Sequence, residues 1–311
     1  MRVAVMGAGA IGCYFGGRLA QAGHEVHLIA RGEHLRALRE RGLVVRSELG
    51  DIAAQLPATD DPAEVGPVDL VLFTVKSQDT DQAAQAARPL VGPDTVVLTL
   101  QNGVDNPDRI GAVLGPEHVL GGSCQIEAAI AEPGVVVHPS RLARVTLGEL
   151  DGADSPRARR IRDAFAAAGV EVRLVDDIRR ALWEKLGFLA TMSAFTTVTG
   201  LPIGPLRACP ETWALMQAML REVWSVGRAA GVGLADDYPD RTAQFMNELP
   251  PTMKTSMQRD RERGRRLEVE AIHGPVVRLG RQHGVPVPVT ETMYGLLKLY
   301  EPGAPPAASG V

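Results

Sequence analysis

Three kinds of residue in this chain are placed to do chemistry: a run of glycines near the N-terminus, polar residues that close apolar strands, and a lysine set in an apolar helix. The glycine run is Gly7-Ala8-Gly9-Ala10-Ile11-Gly12. It follows the apolar stretch Arg2–Met6 without a spacer and leads into a helical pattern through Ala22. In that context each glycine has a task. Gly7 permits a tight turn, Gly9 lets the backbone approach a pyrophosphate, and Gly12 lets the helix pack on the strand. The helix N-terminus then presents N–H groups and a partial positive charge to phosphates. Strand, glycines and helix in that order separate a dinucleotide loop from a plain glycine-rich turn.

The second strand, His24–Ala30, ends on Arg31 with no acid before Glu33. An NAD site usually carries Asp or Glu about 20 residues beyond the glycines, whereas arginine suits the 2′-phosphate of NADP. Arg31 therefore favours NADP over a merely solvated charge. Lys76 closes the apolar strand Val68–Val75, and Gln101-Asn102-Gly103 closes Thr95–Leu100. Ligands in open α/β sheets sit beyond the carboxyl ends of strands. Position alone leaves Lys76 open as a solvated lysine and Asn102-Gly103 as a turn. Lys185 lies among Leu182, Leu186 and Leu189. It suits either a snorkelling helix lysine or a cation and proton donor for a reacting oxygen. Glu268, taken alone, reads as a helix surface charge.

The elements that must position these residues divide the chain in two. Alternating strand and helical patterns run to about residue 175, which argues an α/β domain with a mainly parallel sheet. The expected strands are Leu43–Leu56 (one or two), Val119–Ile126, Val135–His138, Val145–Glu149 and Val170–Val175, with helices at Glu33–Arg41, Asp79–Pro89 and Ser155–Ala168. From 176 to 300 the periodicity is helical: Ile178–Val198, Pro210–Ala230, Asp236–Leu249, Arg266–His283 and Val289–Tyr300. The fold expected is an N-terminal Rossmann-type domain, 1–175, followed by an all-α domain, 176–300, with a disordered Pro/Ala/Gly-rich tail at 301–311.

At 311 residues with 45% hydrophobic content and a formal net charge of −4, the chain can bury a large core. Its charge does not point to nucleic acid or an anionic membrane. The uncharged window Leu186–Leu206 carries too many Thr, Ser, Gly and Pro for a membrane helix. Cys13, Cys124 and Cys209 are scattered and off any metal-ligand spacing, so reduced thiols, no metal and a cytoplasmic location are expected. With the first strand starting at residue 2, no signal peptide is expected. The apolar positions Trp213, Met216, Leu220, Val223 and Trp224 suit core or a homodimer contact.

Taken together the chain resembles the ketopantoate reductases (2-dehydropantoate 2-reductases). The resemblance runs from Met1 to about Tyr300. It is carried by the glycine motif, Arg31, Val75-Lys76, Gln101-Asn102-Gly103, Leu182-Trp183-Glu184-Lys185-Leu186, Ser256-Met257-Gln258-Arg259-Asp260 and Glu268. It implies NADPH-dependent reduction of the 2-keto group of ketopantoate to D-pantoate. Lys185 would be the general acid, and Glu268 would hold the substrate's hydroxyl or carbonyl end and the lysine ammonium. Ser256 and Asn102 would contact substrate, and Lys76 would lie beside nicotinamide and substrate. Lys76, Asn102 and Glu268 would thus also border the cofactor, with Gly7 to Gly12 and Arg31.

The chain departs from the family at two positions. Where the family presents asparagines four and eight residues after its lysine, this sequence has Leu189 and Ser193. Losing a hydrogen bond to a charged group costs about 1.5–3 kcal/mol, so part of the pantoate-reading surface is altered. The primary expectation is a ketopantoate reductase with a rearranged pocket. The alternatives are a reductase or D-2-hydroxyacid dehydrogenase of the same fold for a more apolar 2-keto acid, and a non-catalytic dinucleotide-binding regulator.

Overall fold

The structure, a computed structural model, describes residues 1–303. The chain divides into two compact units, Met1–Gln101 with Asp105–Ile178, and Asn102–Val104 with Arg179 onward.

The first unit contains β1 (Arg2–Met6), α1 (Ala10–Gln21), β2 (Glu25–Ile29), α2 (Gly32–Arg41), β3 (Leu43–Ser47), β4 (Ile52–Ala54) and β5 (Ala58–Thr59). There follow β6 (Leu70–Phe73), α3 (Thr80–Ala86), β7 (Val96–Thr99), α4 (Asn106–Leu114), β8 (Val119–Ile126), β9 (Ala129–Glu132), β10 (Val135–His138), β11 (Ala143–Glu149), α5 (Pro156–Ala167) and β12 (Glu171–Leu174). The main sheet has eight strands in the order β12-β11-β8-β7-β6-β1-β2-β5. Strands β5 through β8 of that order run parallel, whereas β11 pairs antiparallel to β8 and carries β12 with it. The strand order reverses at β1, so the ends of β1, β2, β6 and β7 share the edge where dinucleotides bind in such sheets.

Side-chain alternation explains why these short strands are apolar throughout. Val3, Val5, Leu70, Leu72, Val96 and Leu98 enter one core with Phe15, Leu19 and Phe165. Their neighbours Ala4, Met6, Val71, Phe73 and Val97 enter a second core with Ala83, Ala84 and Ile110. A sheet covered on both faces needs this pattern. A separate four-stranded sheet, β4-β3-β10-β9, was not anticipated. Two strands escaped the sequence reading. The first, β5, has only two residues, and β9 is built from poor strand formers, held by antiparallel pairing to β10.

The second unit is helical: α6 (Ile178–Thr199), α7 (Ile203–Ala208), α8 (Pro210–Ala229), α9 (Tyr238–Glu248), α10 (Ser256–Glu262), α11 (Val269–Ile272), α12 (Gly274–His283) and α13 (Pro288–Lys298). The helix expected over Arg266–His283 is broken in two, because Pro275 in the first turn of α12 cannot donate a backbone bond. Helix α10 also escaped the sequence reading, although Thr255, whose side chain accepts the Gln258 N–H at 3.3 Å, is a readable N-cap. The start of α13 is held by Glu222, which accepts from the N–H groups of Val289 and Thr290 at 2.9 and 2.8 Å. Of the apolar positions on α8, Met216, Leu220 and Val223 are fully buried core. The disorder expected for the tail falls on residues 304–311, outside the described ones. Glu301–Gly303 is a turn whose Glu301 carbonyl accepts from the Leu267 N–H at 3.0 Å. Among the described residues no helix is long and apolar enough to cross a membrane.

One buried group makes stability depend on pH. His273 has no exposed surface, and burial lowers its pKa from 6.5 to about 4. Its Nε2 bonds the Ala190 carbonyl at 3.0 Å, and among the described residues Nδ1 has no hydrogen-bond partner for a second proton. Between these two pKa values the unfolded chain binds a proton that the folded chain does not. Stability from this group is therefore full above pH 6.5 and is lost as pH falls toward 4, by about 3 kcal/mol in all. Denaturant midpoints measured from pH 7 to 4.5 should show this loss, and His273→Gln should flatten it.

Candidate active site

The glycine loop is built by close approach on one side and open space on the other. Gly7 has φ +92°, and a Cβ there would lie 2.7 Å from the Val75 nitrogen and 2.8 Å from its Cα. A Cβ on Gly12 would lie 2.5 Å from Thr74 Oγ1 and 2.6 Å from Val5 Cγ1, so only glycine lets α1 settle on β1 and the β6 end. At Gly9 a Cβ would meet nothing nearer than the Gly7 carbonyl at 4.0 Å. Gly9 is thus not required by internal packing, and its bareness leaves room for a group outside the protein. The loop is pinned by the Gly7 and Ala8 N–H groups, which donate to the Ile29 carbonyl at 3.2 and 2.8 Å, and by Thr74 Oγ1, which donates to the Gly7 carbonyl at 2.8 Å. Helix α1 starts at Ala10 with Gly9 as N-cap and no acid in its first turn. Residues 7–12 fit the diphosphate of a dinucleotide.

Cys13, inside the same helix, is no competing nucleophile. Burial pushes its thiol up to about 12, and it donates to the Ala8 carbonyl at 3.2 Å. Arg31 is exposed at the N-cap of α2, directly beyond β2. Lys76 is exposed beyond β6 and heads a short 3-10 turn, Ser77–Asp79. Beneath it lies a buried polar group that the sequence reading did not foresee: Ser77, Thr80, Thr99, Gln101 and Asn106.

In the second unit, α6 carries Lys185, Leu189 and Ser193. Lys185 and Leu189 are half-buried. Ser193 has no exposed surface, and its hydroxyl lies 3.4 Å from the Ala190 carbonyl. Four-residue steps advance about 40° around a helix, so Ser193 lies about 80° around α6 from the half-buried Lys185 and Leu189 lies between them. The other proposed residues are fastened to the same helix. Thr196 Oγ1 meets Thr255 Oγ1 at 2.9 Å, which brings the start of α10, and with it the exposed Ser256, to the C-terminal half of α6. Gln258 Nε2 donates to the Gly200 carbonyl at 3.0 Å, and Arg261 donates to the carbonyls of Thr197 and Val198. Glu268, 8% exposed, is the N-cap of α11, and His273 at the other end of that helix bonds Ala190. Asn102 is half-buried in the short segment that groups with this unit. Thr255, Thr196 and His273 thus fasten these segments to α6, and the sequence reading did not single them out. Only the Thr255 cap had a local signal.

The comparisons with known proteins agree along the whole chain. Residues 3–152 match the family model for ketopantoate reductase PanE/ApbA, and residues 177–301 match its C-terminal companion. A 2-dehydropantoate 2-reductase of Halobacterium salinarum is 35% identical over 302 residues, covering 96% of this chain and 98% of the relative. A crystal structure of a PanE/ApbA family ketopantoate reductase from Ralstonia eutropha is 38% identical with a TM-score of 0.89, covering 97% of this chain and 98% of that one. A ternary structure of D-mandelate dehydrogenase with NADH and anilino(oxo)acetate is 26% identical with a TM-score of 0.88, covering 97% and 98%. Two family models that together span residues 3–152 and 177–301, and a relative 35% identical over 96% of this chain, make this chain a member of the ketopantoate reductase family of oxidoreductases.

Proposed function

We propose that this protein reduces the 2-keto group of ketopantoate with NADPH to give D-pantoate. Residues 1–175 hold the dinucleotide, and residues 176–300 supply the proton donor and most substrate contacts. The single observation that carries this reading is the convergence on one helix: Lys185 on α6, with the Ser256 and Glu268 segments fastened to it through Thr196–Thr255 and His273–Ala190.

Residues 7–12 and Arg31 would hold the dinucleotide, which when bound would supply a hydride to the carbonyl carbon. Negative charge then develops on the carbonyl oxygen, and a fixed cation lowers the energy of that state. The Lys185 ammonium provides the charge and then the proton, leaving the 2-hydroxy acid. Glu268 orients the ammonium and the substrate's hydroxyl end. Ser256 and Asn102 hold the substrate, Lys76 lies beside the nicotinamide, and Arg31 binds the 2′-phosphate. Ser193 and Leu189 occupy positions that line the substrate in the family.

A second reading is favoured by Leu189. It is half-buried four residues after Lys185 and cannot hydrogen-bond a hydroxyl group. A 2-keto acid with a more apolar side chain suits that surface better, and the likeness to D-mandelate dehydrogenase supports such a substrate.

Both readings are tested by NADPH oxidation with ketopantoate, 2-ketoisovalerate and phenylglyoxylate. Ketopantoate fastest supports the first, an apolar acid fastest supports the second, and no oxidation removes both. Lys185→Ala should lower kcat by about 100- to 10,000-fold while NADPH still binds, and near-native turnover would take Lys185 out of the mechanism. Fluorescence titration should show tighter binding of NADPH than NADH, and Arg31→Ala should weaken NADPH by about tenfold and leave NADH unchanged. Equal loss for both would assign Arg31 no role at the 2′-phosphate.

A further inference from the structure

We propose that Gln101 is a positioning residue for both cofactor and substrate, a single side-chain amide that fixes the backbone just ahead of Lys76 and just ahead of Asn102. The inference rests on the reductase reading for the roles of those two neighbours. The geometry lies within the first unit.

Strands β6 and β7 are paired up to Phe73 and Thr99, and the Leu100 N–H still donates to the Phe73 carbonyl at 3.1 Å. Beyond that point the ladder ends, and each buried peptide group needs another partner. The Val75 carbonyl finds it in Gln101 Nε2, at 2.9 Å. The same nitrogen donates to Thr80 Oγ1 at 2.8 Å, while Gln101 Oε1 accepts from the Thr99 hydroxyl at 3.0 Å. Both N–H groups and the oxygen are therefore committed. A flipped amide would set its oxygen against the Val75 carbonyl, so the orientation is determined. Asn106 Oδ1 lies 2.9 Å from Thr80 Oγ1, and Arg109 closes the far side by donating to the Ser77 carbonyl at 3.2 Å.

Val75 has two functional neighbours. It precedes Lys76 in sequence, and its backbone is the surface against which Gly7 packs. Release of its carbonyl would therefore loosen the lysine and the floor of the glycine loop together. A displacement of about 1 Å at a reacting group costs on the order of 100-fold in rate. A polar side chain that merely filled space would have no need to reach across two strand ends.

The test compares Gln101→Met, which keeps length and loses every bond, with Gln101→Glu, which keeps the acceptor for Thr99 and loses the donor to Val75. NADPH dissociation constants, kcat and KM are measured at a temperature where circular dichroism shows both variants folded. The expected result is a rise of at least threefold in the NADPH dissociation constant and a fall of at least tenfold in kcat/KM for the keto acid, in both variants. Values within twofold of native, with only the melting temperature lowered, would overturn the proposal. If the native protein binds NADPH and turns over no keto acid, the reductase reading fails, and the shift in dissociation constant alone decides the role of Gln101. A native protein that does not bind NADPH overturns both.

Discussion

The helical unit depends on one constraint: the backbone of α6 accepts hydrogen bonds from side chains far away in sequence. An α-helix spends its carbonyls on its own ladder until the last turn. The carbonyls of Thr197 and Val198 near the end of α6, and of Gly200 just beyond it, are met by Arg261 and Gln258. The Ala190 carbonyl, in mid-helix, takes an extra bond from the buried His273. These contacts decide where the Ser256 and Glu268 segments lie relative to Lys185. The helix is both the carrier of the proposed proton donor and the post to which its partners are tied.

The dinucleotide loop rests on a different constraint, the volume of a missing Cβ. Gly7 and Gly12 are required because Val75, Thr74 and Val5 already occupy the space a side chain would need. Gly9 is not required by anything inside the protein. That contrast fits a loop shaped around an external phosphate.

Much of this was legible in the sequence, for reasons that differ by residue. Gly7, Gly9 and Gly12 are readable because their tasks exclude other residue types. Lys76 and Asn102 are readable as strand ends because burial on both faces makes the preceding strands almost wholly apolar, and Arg31 because it follows a strand whose Val26, Leu28 and Ile29 are buried. Strand β9 and the break at Gly274-Pro275 were less so, because weak propensities there are overridden by pairing and by one proline. The polar cluster around Gln101 and the bonds of His273 and Thr196 were not readable. They join residues 26, 83 and 59 positions apart, and no local pattern marks such partners. The burial of Ser193 was likewise not readable from its eight-residue spacing from Lys185 alone.

The account depends on an ammonium at position 185 giving its proton to a carbonyl oxygen, which chemical rescue probes directly. Lys185→Ala would be assayed for NADPH oxidation with the preferred keto acid in the presence of small primary amines of graded acidity. Saturable recovery of turnover, with rates that rise with the acidity of the added ammonium, is the predicted result. A variant that already turns over like the native protein, and that added amines leave unchanged, would contradict it.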